Sequence, residues 1–167
     1  MSSQFDYRAT PPHPAAAVFA AMVDADCLRA RLAALGGRNA ALLEHAADAE
    51  GARFRVQHGL EPDDMPQAVR SFLPADFVIR RLETWRRADD GKYTGTADVE
   101  VPGTPASATG QMGLRDAGPG SELRIRTDVT VRVPLLGGRI EASVGEQILK
   151  LLNAETTFTL DWMNRNA

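Results

Sequence analysis

The chain opens on an alternation. Between Gln4 and Thr10, Phe5, Tyr7 and Ala9 alternate with Asp6 and Arg8, the two-residue period of a half-buried strand. Pro11, Pro12 and Pro14 stop it, since proline has no amide hydrogen to give a ladder. Proline does suit a first helical turn, and Ala15 to Val23 follows with Val18, Phe19, Met22 and Val23 at helical spacing. Asp24 is placed to cap a second short helix with Leu28, Leu32 and Leu35 on one side, and Gly36-Gly37 end it.

Strand patterns then take over. Ala41–Ala47 and Ala52–His58 are joined by the turn-like Asp48-Ala49-Glu50-Gly51. With Glu50-Gly51 as a two-residue turn, Leu43, His45, Phe54, Val56 and His58 share one face and Glu44, Arg53, Arg55 and Gln57 the other. In the proline-bounded connection from Leu60 to Asp76, Met65, Val69, Phe72 and Leu73 fall at i, i+4, i+7 and i+8, which predicts a short amphipathic helix capped by Asp64. Phe77–Arg87 and Lys92–Val101 form a hairpin about Asp89-Asp90-Gly91, with Tyr93, Gly95, Ala97, Val99 and Val101 on one face. The inward face of Phe77–Arg87 stays open, because one residue of slip exchanges Trp85 for Thr84.

Ala106–Leu114 is a weaker strand. Leu123–Val133 sets Leu123, Ile125, Thr127, Val129, Val131 and Val133 against Glu122, Arg124, Arg126, Asp128 and Arg132, one dry face and one wet. After Pro134 and Gly137-Gly138, Arg139 to Asn164 reads as one helix, roughly 39 Å long at 1.5 Å per residue. Its apolar stripe is Ile140, Val144, Ile148, Leu151, Leu152, Thr159 and Trp162, with Phe158 at the edge, and Val144, Ile148, Leu151 and Trp162 are expected to pack on the sheet. No repeat or linker interrupts the 167 residues, so one domain is expected over 1–167.

Composition excludes more than it assigns. Nineteen basic and 22 acidic residues give a net charge of -3 with no basic block, which argues against nucleic-acid binding. Cys27 is the only cysteine and reads as a small buried apolar residue, without an evident activating partner. MSSQFDYRAT has no charged-then-apolar signal region, and no apolar run approaches the ~20 residues of a membrane span. The expectation is a cytoplasmic protein without membrane insertion. Gly103 to Gly120 lacks the lysine and spacing of a phosphate loop. No cofactor is implied, and oligomeric state is left open.

The order strand, two short helices, six more strands, long C-terminal helix resembles the helix-grip fold of the START and Bet v1-like (SRPBCC) superfamily. Leu35-Gly36-Gly37, Leu82-Glu83-Thr84-Trp85, Val101-Pro102-Gly103 and the run from Val131 to Glu141, VRVPLLGGRIE, are similar to an uncharacterised bacterial domain-of-unknown-function family within it. The resemblance implies an α+β fold. A curved seven-stranded antiparallel sheet wraps the last helix, two short helices follow the first strand, and a cavity lies between sheet and helix. It transfers no catalytic residues. The cavity candidates are His45, Val56, His58, Val69, Phe72, Val99, Met112, Ile125, Val129, Leu151 and Glu155.

Three of these, Glu155, His45 and His58, carry the sharpest chemistry. Glu155 sits near the centre of the apolar stripe, where a carboxylate must be paired, neutralised or wetted. It is either satisfied by a structural partner or is a polar anchor in an apolar pocket. His45 and His58, if the turn is as drawn, point to one face of neighbouring strands, close enough to share a site diagonally. Zinc would need a third ligand, for which only Glu155 is placed, so no metal site is expected. The Met65–Leu73 stripe is core or a lid over a cavity mouth. Three functions are thus expected in order: binding of a lipid, isoprenoid or polyketide-like molecule; a cyclase or hydrolase using Glu155 and a histidine; and a filled-core interaction module.

Overall fold

The computed structural model describes residues 2–59, 67–71, 73, 74 and 76–167. Strand β1 (Ser3–Ala9) leads into helices α1 (Ala15–Met22) and α2 (Ala25–Leu35). Strands β2 (Ala41–Ala47) and β3 (Gly51–His58), a four-residue helix α3 (Gln67–Arg70), then β4 (Ile79–Arg87), β5 (Tyr93–Glu100), β6 (Ala106–Ala117) and β7 (Gly120–Val131) follow. Helix α4 (Gly137–Arg165) ends the chain. The strands form one sheet in the order β1-β7-β6-β5-β4-β3-β2, with every neighbouring pair antiparallel. The first strand therefore joins the last, and everything between is a meander.

The local signals explain most boundaries. Asp24 accepts the Cys27 amide at 2.9 Å and caps α2. Asp116 on β6 accepts the Ala15 amide at 2.8 Å and so holds the start of α1 against the sheet. Glu141, buried in the second turn of α4, accepts the Val131 amide at 2.9 Å and the Ser3 hydroxyl at 2.6 Å. One carboxylate thus ties α4 to both β7 and β1. Packing adds an aromatic cluster in which Phe19 stacks on Tyr93 at 4.2 Å and meets Trp85 edge-on at 6.1 Å. Such pairs are worth roughly 0.5–1.5 kcal/mol each beyond area burial.

Several expectations need correction. The β2–β3 turn is not a two-residue Glu50-Gly51 turn. Asp48 accepts the Glu50 and Gly51 amides at 2.8 and 3.1 Å, and pairing resumes at Ala47 with Ala52. His45 consequently faces Phe54, not Val56, and a bulge between Leu42 and Glu44 puts Leu42 opposite Val56 and leaves Leu43 exposed. On the turn side of the bulge, a two-residue change of register keeps each side chain on its face, so His45 and His58 do share one. They stand four positions apart along β3, roughly 13 Å at 3.3 Å per residue, and form no diagonal pair.

The open question on β4 is settled by Trp85, which pairs with Gly95. A Cβ on Gly95 would lie 2.7 Å from the Trp85 ring, so the indole lies on bare backbone. The inner face of β4 therefore carries Arg81, Glu83 and Trp85, all buried, while Thr84 is exposed. The face of β7 assigned to water also holds a surprise. Glu122 is buried there beneath Arg8, Arg115 and Arg124, which reach it at 2.6, 3.0 and 2.9 Å. On α4, Leu151 and Trp162 are only half-buried and neither belongs to the packed core, to which α4 gives Ile140, Val144, Ile148, Leu152 and Met163. Asp64, Met65 and Phe72 of the expected amphipathic helix lie outside the described residues.

Candidate functional site

Between the inner face of the sheet and α4 lies a cavity of about 560 Å³. Val99 of β5, Met112 of β6, Ile125 and Val129 of β7, and Ile148 and Leu151 of α4 give it apolar walls. The alternation of strands delivers alternate side chains to this interior, and the i, i+3, i+4 spacing of the helix delivers the rest. Leu151 is half-buried because it faces this space.

One end of the cavity is polar. Arg31 of α2, His58 of β3, Arg81 and Glu83 of β4, and Glu155 of α4 meet there. Arg81 donates from Nη1 to Glu155 Oε1 at 3.1 Å and from Nη2 to Oε2 at 2.8 Å, a two-point grip from sheet to helix. The Arg81 Nε is ion-paired with Glu83 Oε2 at 3.2 Å but makes no hydrogen bond, and Glu83 accepts the Trp85 indole N–H at 3.2 Å. Arg31 Nε stands 3.5 Å from Glu155 Oε2, outside hydrogen-bond geometry, and both its Nε and its Nη2 lack a hydrogen-bond partner. Arg31 is nonetheless only 7% exposed.

The charges tune one another. Burial pushes the Glu155 carboxyl up, but Arg31 and Arg81 outweigh it and hold the group at about 2. Burial, reinforced by the positive charge of Arg81, pushes the His58 imidazole down to about 4. At neutral pH Glu155 is therefore ionised and His58 neutral. Burial also pushes the nearby Cys27 thiol up to about 11, which makes it a poor nucleophile.

Of the cavity candidates read from the sequence, the structure brings His58, Val99, Met112, Ile125, Val129, Leu151 and Glu155 to the cavity wall. Val56 is fully buried in the packed core and does not reach it. His45 is exposed, with Nε2 2.6 Å from the Val23 carbonyl oxygen and its ring stacked on Phe54 at 6.3 Å. It pins β2 to the end of α1 and takes no part in the cavity. Phe72 and the side chain of Val69 lie outside the described residues, although Leu73 from the same connection and Phe77, which precedes β4, do line the cavity. Among the described residues no three His, Cys, Asp or Glu side chains gather as metal ligands.

Arg31, Arg81 and Glu83 were missed. Arg31 had a legible signal, since it follows Leu28 by three and Cys27 by four and so shares the buried side of α2. Arg81 and Glu83 became legible only once Trp85 was seated on Gly95, which fixes the parity of β4.

The architecture is a Bet v1-like helix-grip fold. Three solved structures align over nearly the whole chain. The Thermus thermophilus protein TTHA0849 has a TM-score of 0.64 and 12% identity over 99% of both chains. Ara h 8.0201 has a TM-score of 0.59 and 15% identity, covering 96% of this chain and 99% of its own. Norcoclaurine synthase from Thalictrum flavum, solved with dopamine and hydroxybenzaldehyde, has a TM-score of 0.57 and 12% identity, covering 96% and 88%. At these identities the likeness is one of fold.

The chain belongs to the DUF2505 family, described as a protein of unknown function, whose model matches residues 6–163. Uncharacterized proteins of Mycobacterium bovis and Mycobacterium tuberculosis are 28% identical over 106 residues, 62% of this chain. That match spans 60% of the relatives' own length. No helix among the described residues is long and apolar enough to cross a membrane.

Proposed function

We propose that this protein binds or carries a hydrophobic small molecule in the cavity between the sheet and α4. The observation that carries the reading is an apolar space of about 560 Å³ closed at one end by buried ion pairs. Binding sites for small molecules are typically such spaces, mostly apolar with a few polar groups that fix orientation. The apolar tail lies along Val99, Met112, Ile125, Val129 and Leu151, and its polar part meets the cluster of Arg31, His58 and Glu155. Norcoclaurine synthase, a protein of the same fold, holds dopamine and hydroxybenzaldehyde, which supports a small organic ligand here.

The rival readings fit the geometry less well. A general base works best with a pKa near the operating pH, whereas Glu155 is held at about 2 with both oxygens gripped by Arg81. A cyclase or hydrolase built on Glu155 and a histidine is therefore disfavoured relative to binding. A filled interior serving only as an interaction module does not account for the void.

Native mass spectrometry of freshly purified protein, paired with displacement of a fluorescent apolar probe, tests the proposal. A retained lipid-sized mass, or probe binding that Leu151→Trp abolishes in a still-folded protein, is the expected result. A folded wild type that takes up no apolar probe would overturn it.

A further inference from the structure

The polar end of the cavity has donors to spare and no charge to spare. Arg81 satisfies both oxygens of Glu155. Arg31, buried beside them and lining the cavity, keeps Nε and Nη2 without a hydrogen-bond partner. A buried donor left unsatisfied is costly, so such a group is poised for an acceptor brought in by something else. Every nitrogen of a guanidinium is a donor, so the missing group must be an acceptor.

Charge decides which kind. Among the described residues, the ionisable ones lining the cavity are Arg31, His58, Arg81, Glu83, Lys150 and Glu155. Lys150 is exposed to solvent. Inside, Arg31 and Arg81 balance Glu83 and Glu155. A ligand carboxylate seated on Arg31 would be a third anion against two cations, next to the Glu155 oxygen that stands 3.5 Å from Arg31 Nε. Burying an uncompensated charge costs far more than burying a satisfied dipole.

Resting on the binding role proposed above, the geometry points to an uncharged carbonyl oxygen, that of a ketone, aldehyde or ester, as the ligand's head, accepting from Arg31. The ligand class is then a long apolar molecule with a neutral carbonyl at its buried end. A free fatty acid would be the poorer ligand.

The test compares 2-tridecanone, dodecanoate and dodecane by displacement of the same apolar probe at pH 8, in the wild type and in Arg31→Met. The ketone is expected to bind at least about tenfold tighter than either of the others, and that advantage should fall to within about twofold in Arg31→Met. Should Arg31→Met fold poorly, the carbonyl stretch of ¹³C-labelled 2-tridecanone bound to the wild type gives the answer without a variant. A shift to lower wavenumber than in hexane supports donation to the carbonyl, and a hexane-like frequency overturns it. Dodecanoate binding as tightly as the ketone overturns the neutral head while leaving the cavity role intact. Failure of all three molecules to displace a bound probe overturns the head-group inference while leaving the cavity role intact, whereas a folded wild type that binds no probe overturns both.

Discussion

Arg81 on β4 holds Glu155 on α4 through two parallel hydrogen bonds, 3.1 and 2.8 Å long, at the polar end of the cavity. Both side chains are largely withdrawn from water, with 10% and 12% of their surface exposed. The pair thus links the sheet to the helix that crosses it. Removing one partner of such a pair strands a buried charge. Arg81→Met and Glu155→Leu should each destabilise by about 3–5 kcal/mol in denaturant titrations, while the double variant, which also takes these partners from Arg31 and Glu83, should lose clearly less than the sum of the two. A loss in the double variant equal to the sum of the two single losses would show that the two residues are not coupled.

Acid should act on this protein in two separable windows. The His58 imidazole sits at about 4 in the folded chain against 6.5 in a free side chain. Between those values the unfolded chain takes up the proton and the folded chain does not. Stability should therefore fall by about 3 kcal/mol as pH drops from 6.5 to 4, then lose nothing further from this residue. His58→Gln should flatten that stretch of the stability profile measured by urea titration.

Glu155 has the lower window. Its carboxyl lies at about 2 against 4.5 unperturbed, so the stability it contributes is complete above 4.5 and lost as pH falls toward 2. Glu155→Gln should remove this acid step below pH 4.5 while leaving the step above it, a pattern that pH-dependent melts of the two variants can read directly.

Core and cavity positions should respond differently to truncation. Phe54 is 1% exposed and packed on all sides, so Phe54→Ala should cost about 3–5 kcal/mol. Leu151 faces open space, so Leu151→Ala removes fewer contacts and should cost less than about 2 kcal/mol while enlarging the cavity. Chemical denaturation of both variants checks the ordering. A Leu151→Ala loss as large as that of Phe54→Ala would mean that Leu151 belongs to the packed core.

Gly95 should tolerate no side chain. The Trp85 ring occupies the place of its Cβ, so Gly95→Val should displace the indole from the Phe19 cluster and from Glu83. Tryptophan fluorescence should shift to longer wavelength, and the melting temperature should drop. An unchanged spectrum would show that the indole does not rest on this strand as described.

Much of the fold was legible in local periodicity. The two-residue alternation of Leu123 to Val133, the helical stripe after Gly138, the Asp24 cap and the proline stop after β1 each state an element through backbone rules that act over a few residues. Glu155 was legible too, because a carboxylate inside an apolar helical stripe demands a partner. What local pattern does not carry is pairing. The face of β4 depended on whether Trp85 or Thr84 turned inward, and only the fit of an indole over Gly95 decided it. That choice brought Arg81 to Glu155 and left Arg31 with unmatched donors. The separation of His45 from His58 likewise depended on how Asp48 folds the turn, which moves the register by two residues and keeps the face but loses the neighbour. Charge partners 74 residues apart are chosen by registry and packing, which no short window of sequence contains.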